Sequence, residues 1–188
     1  GVLAYNNFAS AKDALKDFNF SAASKNFAYA YEGLVSVEAE LSKAGETTLS
    51  IIKNLPFESR ADSSLALLKA AKHTAKAGAL LSSAFTLLPM EDAISAGAFL
   101  NILACSKPCR GSGIESQAGY LKDTFGVFLK QLIAAEAELM AAEQAMARVK
   151  AGDFPKEFKK DISEMSERIP ALLKLVRIAK DYSAISSL

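Results

Sequence analysis

From Leu121 to Val149 the apolar residues fall at alternating intervals of four and three. They are Leu121, Phe125, Phe128, Leu132, Ala135, Leu139, Ala142, Met146 and Val149. A strand repeats every two residues, so a repeat averaging 3.5 held this long requires an α-helix laid against other helices. Glu136, Glu138, Glu143 and Arg148 lie off this seam, which serves either the core of the monomer or a dimer. Gly152 is the expected stop, with Asp153 placed to cap the next helix.

The same spacing recurs along the chain. Phe158, Ile162, Met165, Ile169, Leu172, Val176 and Ala179 form a second long seam. Pro170 falls inside it, which predicts a kink or two short coaxial pieces. Near the other end, Ala4, Phe8, Ala11, Leu15 and Phe18 mark a first stripe. Asn19 or Ser21 is the expected cap of a second helix, carrying Phe27, Ala30, Leu34, Val37 and Leu41 and ending at Gly45. A short piece over 47–55 stops at Pro56. A third long helix then starts at Asp62 or Ser63, with Leu67, Ala71, Thr74, Gly78, Leu81, Phe85 and Leu88 on one face. Beyond Pro89, residues 93–105 are nearly all apolar, as in a helix buried on every side. No hairpin dipeptide and no period-two run argues for a strand. The expectation is an all-α chain: an antiparallel up-and-down helical bundle of four long helices plus one or two shorter helices, as one domain over residues 1–188, with coiled-coil-like packing.

Composition agrees and narrows the function. Of 188 residues 51% are hydrophobic and 23% charged, with only 5 Pro, which excludes a disordered chain. The net charge is +1 and no basic surface interleaved with aromatics is evident, so no nucleic-acid partner is expected. With 1 His, neither paired Glu-x-x-His motifs nor a His pair on a zinc helix is available. No nucleophile elbow and no glycine-rich phosphate loop occurs. No catalytic set, metal site or cofactor is therefore assigned.

Four features carry the remaining expectations. Lys69, Lys72, His73 and Lys76 share one helix face. They form either a basic stripe for phosphate, sulfate or an acidic partner, or a solvated surface. Glu136 and Glu143, seven residues apart, read as another solvated face. Residues 77–105 form two apolar arms around Pro89, with Glu91 and Asp92 as their only formal charges. Leu81, Phe85, Ile94, Phe99 and Ile102 there would pack in the bundle, line a pocket for a lipid-like or pigment ligand, or dock a protein or membrane. Each arm is too short to span a bilayer, and no apolar run elsewhere reaches about 18 residues. Finally, Cys105 and Cys109 sit beside Gly111-Ser-Gly113, in a turn. The spacing favours a structural disulfide over free thiols, closing a ring that contributes about 2 kcal/mol before strain. A disulfide places the chain outside the cytoplasm: secreted, on a cell surface, in a periplasm or in an organelle lumen. The chain opens on Gly1, as after processing or trimming. Gly1 to Asp17 mixes acids and bases and does not read as a signal peptide. Asn19-Phe20-Ser21 is a glycosylation tripeptide. The expected function is a non-enzymatic interaction or structural module: a surface antigen, an extrinsic subunit or a receptor-binding protein. The alternatives are a carrier of an apolar ligand and a membrane-active bundle.

Overall fold

In the computed structural model every element is helical among the described residues, which are 2–53, 58–87 and 114–185, with side chains placed for 2–43, 61–87 and 124–181. Five α-helices follow in order: α1 (Val2–Lys16), α2 (Phe20–Lys53), α3 (Glu58–Thr86), α4 (Ile114–Met146) and α5 (Lys156–Ile185), with a 3-10 turn at Ala151–Asp153. The all-α expectation is met by four helices of 29 to 34 residues and a shorter one of 15.

Each helix packs mainly on its neighbours in the chain. Contacts across each pair run in opposite directions along the two partners. Ala4 meets Gly33 and Phe8 meets Phe27; Phe20 meets Phe85 and Glu38 meets Lys72; Ser63 lies by Lys150 and Phe85 by Phe128. The result is two three-helix cores that share α3. In one, Ala4 of α1, Ala30 and Leu34 of α2 and Ala75 of α3 come together. In the other, Ala70, Ala77 and Ala84 of α3 face Phe128, Leu132, Leu139, Ala142 and Met146 of α4 and Ile162, Ile169, Leu173 and Val176 of α5. Between 61 and 87 only Asp62, Ser64, Phe85 and Thr86 of α3 are exposed. A helix covered on both sides by others must be thin, and α3 is: its buried residues are Ala66, Ala70, Ala75, Ala77, Ala84, Ser63 and Ser82. Gly78 takes this furthest, since a Cβ there would lie 2.9 Å from the ring of Phe27.

The α4 seam is core and not a dimer contact: Phe128, Leu132, Ala135, Leu139, Ala142 and Met146 are all buried within the chain. Several boundaries differ from the sequence reading. α2 runs through Gly45 to Lys53, because one helical glycine costs only about 1 kcal/mol among good helix formers. α3 begins at Glu58, so Ser63 is not a cap. Its buried hydroxyl donates to Asp153 Oδ2 at 2.5 Å and accepts from the Lys150 N–H at 3.3 Å. Asp153 accordingly serves α3, while α5 starts later, at Lys156. α5 is a single helix across Pro170, which is exposed and lacks the N–H that would bond the Ser166 carbonyl one turn earlier. The α5 seam also slips: Leu173 is buried while Leu172 and Phe158 are exposed. A helix of 3.6 residues per turn drifts about 20° per heptad from a strict 3.5 repeat.

The α1–α2 turn shows how sequence sets a joint. Asn19 Oδ1 accepts the Ala22 N–H at 3.0 Å, the expected N-cap. The end of α1 is a Schellman turn, with Asn19 N–H to the Ala14 carbonyl and Phe18 N–H to the Leu15 carbonyl. The left-handed residue it requires is Phe18, at φ 54°, where glycine is usual.

Candidate functional site

The basic stripe is not a solvated face. α3 carries it into the space between α2 and α4, where glutamates of both meet it. Lys72 pairs with Glu38 of α2. His73 Nδ1 lies 2.6 Å from Glu138 Oε2, and Lys76 Nζ lies 2.6 Å from Glu138 Oε1. The Lys76 ammonium also stands 5.7 Å from the centre of the Tyr31 ring. Burial disfavours the Glu138 charge, but hydrogen bonds from His73 and Lys76 outweigh it and hold the carboxyl below the ordinary Glu range. The same bond to Glu138 raises the Lys76 pKa. The acidic partner of this stripe is therefore within the chain. Three helices are tied by it at mid-length, and its fourth residue, Lys69, is half-buried.

A shallow groove of about 240 Å³ opens beside Lys76, lined by Ala28 and Tyr31 of α2 and Ala79, Leu80 and Ser83 of α3. Ser83 of this lining accepts from Gln131 Nε2 of α4 at 3.2 Å. Gln131 Oε1 is buried without a hydrogen-bond partner. The surface of the groove is almost wholly apolar, and it is smaller than the roughly 300 Å³ at which small-molecule sites begin.

Glu136 is not solvated either. It accepts from Arg177 Nε at 2.9 Å and Lys180 Nζ at 2.5 Å, which lowers its pKa and ties α4 to α5. Glu143 remains exposed.

Of the apolar candidates, Leu81 is half-buried against the α3–α4–α5 core. Phe85 is 38% exposed and belongs to a run of five rings. Phe18 meets Phe20 at 6.4 Å, Phe20 stacks on Phe85 at 5.2 Å, Phe85 meets Phe128 at 6.4 Å, and Phe128 stacks on Phe125 at 6.2 Å. The run joins the α1–α2 turn, the end of α3 and the first half of α4. Phe18, 72% exposed, is its outer end. Sequence reasoning placed Phe18 on the first stripe and did not find Phe20. The two Phe flanking the Asn19 cap are the signal that was there. Ile94, Phe99, Ile102, Cys105 and Cys109 lie outside the described residues.

Large apolar side chains are exposed on every described helix, among them Val127, Ile133 and Met140 on α4 and Leu172, Leu175 and Ile178 on α5. Among the described residues no helix is long and apolar enough to cross a membrane. No protein family, no curated protein and no solved structure matches this chain.

Proposed function

We propose that the chain is a non-enzymatic interaction module, working outside the cytoplasm as a surface, extrinsic or receptor-binding protein. The observation that carries this reading is the division of labour between its side chains. The interhelical charged groups are spent on one another: Glu38 with Lys72, Glu138 with His73 and Lys76, Glu136 with Arg177 and Lys180. Large apolar side chains are left facing outward on α4, α5 and the Phe18 turn. Exposed apolar side chains are what a contact surface draws on. The extracytoplasmic setting rests on Cys105 and Cys109 and their close spacing.

Carriage of a lipid-like or pigment ligand is the second reading, its expected lining being Leu81 and Phe85 together with Ile94, Phe99 and Ile102, which lie outside the described residues. Native mass spectrometry of protein from its natural source separates them. An interaction module is recovered in a complex with a protein and without apolar ligand; a carrier appears as the chain plus a small added mass. A chain recovered alone and unliganded under gentle conditions sinks both. Thiol labelling without reductant tests the compartment: two labelled cysteines in native protein overturn it.

A further inference from the structure

The joint between α1 and α2 holds a motif that the proposed function does not use. Asn19 stands two residues before Ser21, the spacing at which an asparagine amide can take an oligosaccharide. No other asparagine of the chain has Ser or Thr in that place. For Asn6, Asn7, Asn26, Asn54 and Asn101 the second residue on is Phe8, Ala9, Ala28, Pro56 and Leu103. A bulky, hydrophilic group is carried only where the chain meets water. Asn6, Asn7 and Asn26 lie within helices, whereas Asn19 lies in the turn between two of them. Asp17, Phe18, Asn19 and Ser21 are all exposed there. Phe18, at φ 54°, turns the chain at this point, so the turn and not a helix face presents Asn19.

The hydrogen bonds of Asn19 leave one group open. Its N–H donates to the Ala14 carbonyl at 2.8 Å, its carbonyl accepts the Ala23 N–H at 2.9 Å, and its Oδ1 accepts the Ala22 N–H at 3.0 Å. Among the described residues Nδ2 has no hydrogen bond, and neither has the hydroxyl of Ser21. We propose that Asn19 is a glycosylation site, with Nδ2 carrying an oligosaccharide. This rests on the reading of the chain as extracytoplasmic, where such sugars are added, and goes beyond it by naming the modified atom. Nδ2 forms a bond to the anomeric carbon of an oligosaccharide held on a lipid diphosphate. The bond from that carbon to the diphosphate breaks, the lipid diphosphate leaves, and Nδ2 gives up one of its two protons. Nothing is oxidised or reduced. The product is still an amide, so Oδ1 remains a carbonyl oxygen and goes on capping α2. A sugar on this atom therefore costs the fold none of its hydrogen bonds.

The test is peptide mass spectrometry of the chain from its natural source. Trypsin releases Asp17–Lys25, which holds the whole motif. The peptide is expected to carry the added mass of a sugar chain. An amidase that cuts the sugar–asparagine bond should return it with Asn19 converted to Asp. Recovery of the peptide at its bare mass alone overturns the proposal. Variants of the full chain, secreted from a eukaryotic host, fix the atom. N19D keeps a capping oxygen and loses the amide nitrogen, and circular dichroism should show it folded like the wild type. The wild type and S21T should carry sugar, while N19D and S21A should carry none. Sugar that persists on N19D overturns the assignment to Asn19, as does a wild type secreted bare. Thiol labelling of the same natural preparation separates the two readings. A bare Asn19 with bonded cysteines means that the site alone fails, and a bare Asn19 with two labelled cysteines means that the extracytoplasmic reading falls with it.

Discussion

Two glycines, each inside a helix, should respond in opposite ways to the same substitution. At Gly78 an added methyl would sit 2.9 Å from the ring of Phe27, so the ring or the helices must shift to admit it. Gly78→Ala is expected to destabilise by about 1–3 kcal/mol in urea unfolding, despite its better helix propensity. At Gly33 the new methyl would lie 3.5 Å from the Ala4 Cβ, an ordinary contact. Gly33→Ala should stabilise by about 0.5–1 kcal/mol, since only the helical cost of glycine is removed. Phe18 is the converse case: a bulky residue stands where glycine is preferred, at a cost of about 1–2 kcal/mol. Its exposed ring gives little back beyond an edge contact with Phe20. Phe18→Gly should raise the unfolding midpoint, and if contact through the ring is its purpose, partner binding should fall as stability rises.

At the scale of single helices, much was legible in the sequence where the apolar residues are large. The α4 seam from Phe128 to Met146 is buried position for position as its spacing predicts. α5 was legible over Ile162 to Ile169: Phe158 before them is exposed, and after Pro170 the inward position passed from Leu172 to Leu173. Periodicity marks a face but does not count the drift between 3.5 and 3.6 residues. α3 was read least well, for a physical reason. It is buried on two sides by alanine and serine, and such a helix shows no contrast between an apolar and a polar face. Its basic stripe therefore looked solvated. The partner of His73 and Lys76 is Glu138, 65 residues from His73, and no local spacing announces a contact across that distance. Pro170 offers a direct test at this scale. Pro170→Ala restores the amide that the Ser166 carbonyl lacks, so the thermal midpoint should rise by an amount equivalent to about 1–3 kcal/mol. An unchanged midpoint would mean that the carbonyl loses nothing by lacking that bond.

Across the whole molecule, the charged contacts set a pH response. Glu136 and Glu138 both titrate below the ordinary value of 4.5, Glu136 because of its bonds from Lys180 and Arg177, Glu138 because its bonds from His73 and Lys76 overcome burial. A carboxyl depressed on folding contributes stability above its unfolded pKa and loses it as pH falls through the folded one. Lys76 has the opposite sign: its raised pKa contributes below 10.5 and is lost only above it. Stability should thus be flat around neutrality and decline below about pH 4.5. E138Q should lower stability at neutral pH by about 1–3 kcal/mol and make the acid decline shallower, measured as thermal midpoint against pH. A decline of unchanged steepness would remove Glu138 from the acid response.

The order in which the helices pack has a consequence in time. Each helix is seated mainly on the one before and the one after it. Such a chain can lose an outer member without losing the rest, and it can gather its members one after another. Folding should be fast for 188 residues. Native-state amide exchange should grade outward, with α3 slowest, α2 and α4 intermediate, and α1 and α5 first to open. The outermost helices would then be the parts this protein can release for brief intervals while its centre stays closed.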